Sequence, residues 1–289
     1  MSDCFAVRFR LASASLVALA AAVPAAAGPY SGPTDTANPI DGAVAANDAR
    51  FVAWADGIDA NRTQFAPRGS SSIDTTGGVN ALGDLTAQEI ADGVAPGFLT
   101  ATFSTGIRNG AGADFAVFEN GGAFFAEPLR FAELAYVEVS SNGSDFARFA
   151  SVSTNQEGDL NTQFGRGFAG VDVTNVYNLA GKHEAGFGTP FDLDQLLLDP
   201  LVVSQAVDLD DIQFVRLVDI PGNGSFVDGL GNGILDPWLT SGSGGFDFIL
   251  GPGSGVGVIN AVPEPGVGVL TLLGLAVLGR RRRGASAAG

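Results

Sequence analysis

The residues best suited to chemistry lie between Asp219 and Asp236, where Asp219, Asn223, Asp228, Asn232 and Asp236 are separated by glycines. Calcium takes six to eight oxygen ligands at about 2.4 Å, and closely spaced Asp and Asn side chains supply them while glycines let the backbone fold around the ion. Asp228, Asn232 and Asp236 recur at every fourth position, and Asp219 or Asp247 can approach from neighbouring strands. Asp219, Asp228, Asn232 and Asp236 are therefore the candidate calcium ligands. The spacing is not that of an EF-hand, which places a Glu at the twelfth position of its loop. A plain cluster of Gly/Asn/Asp turns accounts for the same residues, and both readings stand at this point.

The remaining chemical candidates are weaker. His183 is the only histidine, in Gly181-Lys182-His183-Glu184, and no Gly-x-Ser-x-Gly elbow offers it a nucleophile. It is expected to be a surface or hydrogen-bonded residue. One histidine without cysteines nearby cannot make a zinc site. Gly165-Arg166-Gly167-Phe168-Ala169-Gly170 matches a dinucleotide-binding pattern, but a polar stretch precedes it and a β-branched one follows, so it reads as a loop. Glu119, Glu133, Glu138 and Asp145 raise the question of a glycoside hydrolase, which needs two carboxyls facing each other across a sugar cleft. Spacing along the chain does not establish that, and no catalytic residue is assigned. Trp54 and Trp238 are candidate sugar-stacking platforms, with burial in the core as the competing fate.

The charge balance narrows the field. With Arg8, Arg10, Arg280 to Arg283, Asp3 and Glu264 in the terminal segments set aside, 9 basic and 29 acidic residues remain, a net charge of about −20. Such a field repels nucleic acid and anionic lipid, so no nucleic-acid partner is expected. An acidic surface of this kind solvates an exported protein and also attracts divalent cations. The 41 glycines and 21 phenylalanines suggest short aromatic strands between Gly, Asn and Asp turns, and hence an all-β single sandwich. Strands are expected at 98–103, 115–118, 135–140, 146–149 and 214–220, with 246–250 as the last of the core. Residues 135–140 alternate cleanly, and Asn142-Gly143 supplies the positive φ for a hairpin into 146–149. Two short helices are expected, one at 86–91 with Glu89 completing a capping box on Thr86, the other at 193–198 behind Asp192.

Both ends carry transport features. Residues 1–27 have a positive start (Arg8, Arg10), an apolar run and the small-residue site Ala25-Ala26-Ala27, the pattern of a secretory signal peptide. The mature chain is expected to start at or near Gly28, losing Cys4 and with it any disulfide chemistry. The other end, residues 262–289, reads Pro263-Glu264-Pro265, then an uncharged apolar run over 267–279, then Arg280, Arg281, Arg282 and Arg283. Thirteen residues span about 20 Å as a helix, short of the roughly 30 Å hydrocarbon core, and the arginines fix the cytoplasmic side. Residues 28–47 and 251–261 are rich in Gly, Pro and small residues and are expected as flexible linkers around a β-sandwich at 48–250.

The tail resembles the PEP-CTERM sorting signal of Gram-negative bacteria. That resemblance implies recognition of Pro263-Glu264-Pro265 by exosortase, transient insertion in the inner membrane through 267–279, and release to the cell surface or extracellular matrix. The body is similar to bacterial cell-surface proteins of the PEP-CTERM type over roughly 38–260, through Asp114 to Asn120, Phe131 to Ser140, Leu179 to His183, Gly188 to Leu193, Val215 to Asp219 and Ser243 to Asp247. No biochemical activity carries over from that family. The Val137-Glu138-Val139-Ser140 hairpin is also similar to one in discoidin-like sandwiches, which implies a jelly-roll, galactose-binding-like fold. The leading expectation is an exported, non-enzymatic surface or biofilm-matrix protein, with signal peptidase and exosortase as processing partners and exopolysaccharide as a candidate partner. A calcium-assisted carbohydrate-binding module is the alternative, and a glycoside hydrolase the third reading.

Overall fold

Phenylalanine and β-branched residues at alternate positions favour extended chain, and two sheets can bury such faces against each other. The computed structural model describes residues 27–156, 168–239, 242 and 244–263. Among these, two five-stranded antiparallel sheets share one core. In the first, strand Ile212–Asp219 is central, flanked by Phe98–Ile107 and Ala135–Ser140, with Gly57–Ile58 and Ala147–Arg148 at the edges. The second runs Val44–Ala45, Phe187–Phe191, Phe115–Val117, Val256–Val258, Ala53–Trp54. Leu99, Ala101, Val137, Val139, Val215 and Leu217 of the first sheet meet Phe115, Val117, Phe191, Val256 and Val258 of the second. Phe115 stacks on Phe191 at 5.3 Å between ring centroids and meets Phe149 edge-on at 5.9 Å.

Ala135–Ser140 is buried on both faces, so its alternation does not separate a dry side from a wet one. Tyr136 joins Val171, Val176, Leu179, Val218 and Ile220 in a second cluster behind the sheet. Glu138, on that same outer face, is neutralised by Arg148 (2.6 Å) and Arg216 (3.6 Å).

The expected linkers are instead parts of the body. Residues 28–47 pack against it: Val44–Ala45 pairs with Phe187–Phe191, and buried Asp41 accepts from the Ser31 amide (2.8 Å) and from Lys182 Nζ (2.5 Å). Capture by a fully buried lysine holds a Pro- and Gly-rich segment that has little apolar surface of its own. In 251–261, Val256–Val258 lies between Phe115–Val117 and Ala53–Trp54, so the core's last strand comes after 246–250. Its valines point into the core despite the glycines around them.

Local signals placed most of the small elements. Ala87–Ala91 is an α-helix whose Thr86 and Glu89 form the full capping box. Asp192 caps a 3-10 turn, Leu193–Leu196, and a short helix at Pro200–Val203 follows under an Asp199 cap. Gly143 adopts φ of +73° and turns the chain into Ala147–Arg148, which pairs with Glu138 and Val139. Residues 1–26 of the expected signal peptide, Glu264, Pro265, the 267–279 run, Arg280 to Arg283 and Gly165 to Gly167 lie outside the described residues. Among the described residues no helix is long and apolar enough to cross a membrane.

Candidate metal centre

Asp219 is the last residue of the central strand, opposite Ala135 in register, and it is fully buried. Its Oδ1 accepts from the Phe246 amide (2.8 Å), while Oδ2 receives no hydrogen bond. Asp84 reaches the same place from a different part of the chain. Val79–Ala81 pairs with Asp247–Ile249, and the pairing continues through Leu82 N–H to Phe246 O (2.9 Å) and Gly83 N–H to Gly244 O (2.6 Å). The turn at Gly245 requires glycine: its φ is +63°, and a Cβ there would stand 2.4 Å from Asp219 Oδ1 and 3.0 Å from the Asp84 amide nitrogen.

Asp236 enters from the end of the Asn223–Val227/Gly233–Leu235 ribbon. It is 4% exposed, and its Oδ2 accepts from the Leu134 amide at 2.9 Å. Its Oδ1 faces Gly222, where a Cβ would sit 1.6 Å away. Glu133 precedes Leu134 on the same stretch, leading into Ala135–Ser140. Glu119 and Asp247 stand further out and line a cavity of about 140 Å³ together with Phe118, Asn120 and Ile249. There Asn120 Nδ2 donates to Asp247 Oδ2 at 3.0 Å, and Glu119 Oε2 receives no hydrogen bond.

These acids raise one another's affinity for protons. Burial is the largest cause for Asp219 and for Asp236, and the Asp84 charge is second for both, so both carboxyls lie well above the usual range. Glu133 is partly exposed as a residue, yet burial of its carboxyl followed by the charges of Asp84, Glu119, Asp247 and Asp219 pushes it up to about 10. Burial and then Asp247 raise Glu119 well above its ordinary value. Asp219, Asp236, Glu133, Glu119 and Asp247 make no ion pair with a basic residue among the described residues. Among the described residues no three His, Cys, Asp or Glu side chains stand together so that they could hold a metal ion.

The four candidate ligands thus divide into two pairs. Asp219 and Asp236 belong to the buried acid group, whereas Asp228 and Asn232 form a separate turn. Asp228 Oδ1 accepts from the Leu230 and Asn232 amides (2.9 and 2.8 Å), and Oδ2 from the Ser153 amide (2.9 Å) and Asn232 Nδ2 (3.0 Å). Burial works to raise Asp228, but these hydrogen bonds outweigh it and hold the carboxyl below its ordinary value. With four donors on the Asp228 carboxylate and Asn232 exposed, this turn forms a hydrogen-bonded clasp. Asp84 and Glu133, with Asp219, are the acids whose charges act on Asp236.

The other candidates settle into structural places. His183 is 2% exposed, and burial with the adjoining Lys182 charge pushes it down to about 3, so it is a neutral core ring and not a surface residue. Trp238 is buried with Nε1 donating to Leu85 O (3.0 Å), and Trp54 packs against Phe51 and Phe118 with centroids at 4.7 and 5.4 Å. Asp145 accepts from Asn142 Nδ2 at 2.9 Å within the hairpin turn. No protein-family model matches the chain, and no curated protein matches it either.

Proposed function

We propose that this is an exported, non-catalytic protein of the bacterial cell surface or extracellular matrix, released by exosortase through Pro263-Glu264-Pro265. One observation supports the reading: the residues just inside the two expected processing points, Gly28 and Ala261–Val262, are seated in the body. Gly28 N–H donates to Thr174 Oγ1 at 2.7 Å, and a Cβ at Gly28 would lie 2.1 Å from Thr174 O, so the chain is seated from the expected mature start onward. At the other end, Ala261 bridges to Ile107, Val262 N–H reaches Gly106 O (3.4 Å), and Pro263 is exposed. The expected sorting motif begins at Pro263, directly after these last described strand contacts.

In this reading signal peptidase cuts before Gly28, the 267–279 run holds the chain briefly in the inner membrane, and the body is delivered outside a Gram-negative cell, where exopolysaccharide is the expected surrounding. The two-sheet core is in keeping with a jelly-roll of the galactose-binding-like type. The buried acid group favours the cation half of the carbohydrate-module reading, although its depth suits support of the fold better than contact with a sugar. Replacing Pro263, Glu264 and Pro265 together by alanine in an exosortase-bearing host tests the claim. The altered protein should stay in the inner-membrane fraction while the native chain reaches the surface. Equal surface delivery of both would overturn the sorting role.

A further inference from the structure

The geometry points to a binding site for a neutral saccharide in the cavity between the N-terminal arm and the stretch from Tyr177 to Gln195. The cavity measures about 370 Å³ and lies at the edge of the second sheet, beside Val44–Ala45. That is the lower end of the roughly 300–1,000 Å³ that small-ligand sites occupy. Thr36, Arg50, Tyr177, Asn178, Asp192 and Gln195 are among the side chains that line it. Its walls come from distant parts of the chain and are tied together by one cation. Lys182 Nζ donates to Asp41 Oδ2 in the arm (2.5 Å) and to Val176 O (2.7 Å), next to Tyr177. Lys182 is fully buried, and a buried ion pair adds little net stability over an apolar pair, so what it supplies here is position. Tyr30 stacks on Tyr177 with ring centroids 5.0 Å apart, and Asn178 Nδ2 donates to Gln195 Oε1 (2.5 Å) and Ala150 O (3.0 Å). Asn178 holds a φ of +53°, which is uncommon outside glycine and recurs at ligand sites. The lining is therefore fixed before any ligand arrives.

The chemistry of the lining selects the ligand class. Asp192 Oδ1 accepts from the Asp194 amide (2.9 Å), which leaves Asp192 Oδ2 without a donor among the described residues. Asn178 spends its Nδ2 on Gln195 and Ala150, and its Oδ1 accepts no hydrogen bond among the described residues. Thr36 adds a hydroxyl on an exposed residue. A ligand without polar groups would leave these acceptors unpaired, which costs binding. An anionic ligand would meet Asp192 and a molecule of net charge about −20, while Arg50, the basic side chain of the lining, is already held by Asp48 at 2.8 Å. Neighbouring hydroxyls of a sugar ring donate to a carboxylate and to an amide oxygen, and accept from a guanidinium. The apolar face of such a ring is matched to an aromatic side chain such as Tyr177. This site goes beyond the export reading, which gives the body no ligand site, and does not depend on it.

The test is an array of neutral, uronic-acid-containing and sulfated oligosaccharides, probed with the purified full-length chain in a detergent that carries no sugar. Calorimetric titration of the best-bound neutral oligosaccharide follows. Neutral hexose oligosaccharides should bind, and the uronic-acid and sulfated ones should be rejected. Asp192→Asn keeps the cap on Leu193–Leu196 through its remaining oxygen but turns the free acceptor into a donor. It should weaken binding roughly tenfold. Thr36→Val removes one hydroxyl from an exposed residue and should weaken binding about threefold, and it keeps the test valid if Asp192→Asn does not fold. A melting temperature equal to that of the native chain in either variant separates a lost contact from a lost fold. Absence of binding to every neutral oligosaccharide, preference for the acidic ones, or undiminished affinity in both variants would overturn the site. None of these results involves export, so failure here leaves the sorting proposal standing.

Discussion

A buried carboxylate is stable in its charged form when donors saturate it, and Asp228 meets that condition with four hydrogen bonds. Asp228→Ala leaves the Ser153, Leu230 and Asn232 amides without their acceptor. It should destabilise the fold by about 2–3 kcal/mol in urea unfolding, with or without calcium. The opposite environment of Glu133 sets a pH dependence. Its folded pKa of about 10 lies far above the unfolded value near 4.5, with Asp84, Glu119, Asp247 and Asp219 facing it. In EDTA its contribution is therefore fully present below about pH 4.5 and is lost progressively as pH rises toward 10. His183 runs the other way. Its folded pKa of about 3 lies below the ordinary 6.5, so its contribution is complete above about pH 6.5 and is lost as pH falls toward 3. The metal-free melting temperature should accordingly peak in the mildly acidic range and fall from pH 6 to pH 8. A melting temperature that climbs steadily to pH 8 in EDTA would contradict the assigned environments.

The elements differ in how much of their position was written locally. The Thr86–Glu89 capping box, the Asn142-Gly143 turn and the Asp192 cap are each set by residues within a few positions of one another, and all three were readable from the chain. Thr86→Ala should cost about 1 kcal/mol in thermal unfolding. The Asp84–Asp219 encounter was not readable, because it depends on Val79–Ala81 pairing with Asp247–Ile249, far along the chain. Val256–Val258 was missed for a related reason: glycines flank a strand whose valines are identified only by the sheet that receives them. Of the loop at 219–236, Asp219 and Asp236 end in a buried acid group, and Asp228 with Asn232 in a separate turn. Both the ion and the turn reading were open for Asp228 and Asn232, whose hydrogen bonds close a local turn. The glycine at 222 shows how tightly the element is fitted around Asp236. Gly222→Ala introduces a Cβ at 1.6 Å from Asp236 Oδ1 at a φ of +67°. It should lower the melting temperature by several degrees.

At the scale of the whole molecule, a body carrying a net charge of about −20 and no disulfide relies on its two-sheet core and on buried polar clasps such as Lys182–Asp41. The electrostatic field extends over the surface and is screened by salt, so any calcium effect from general screening should be matched by magnesium and weakened by added sodium chloride. The acid group inside is shielded from that screening. Export and processing are the claims on which the proposed role depends, and intact-mass measurement of the protein recovered from the surface of an exosortase-bearing host tests them most directly. The expected mass is that of a chain beginning at or near Gly28 and ending within the Pro263-Glu264-Pro265 region. A surface protein that retains Arg280 to Arg283 would contradict the proposed release.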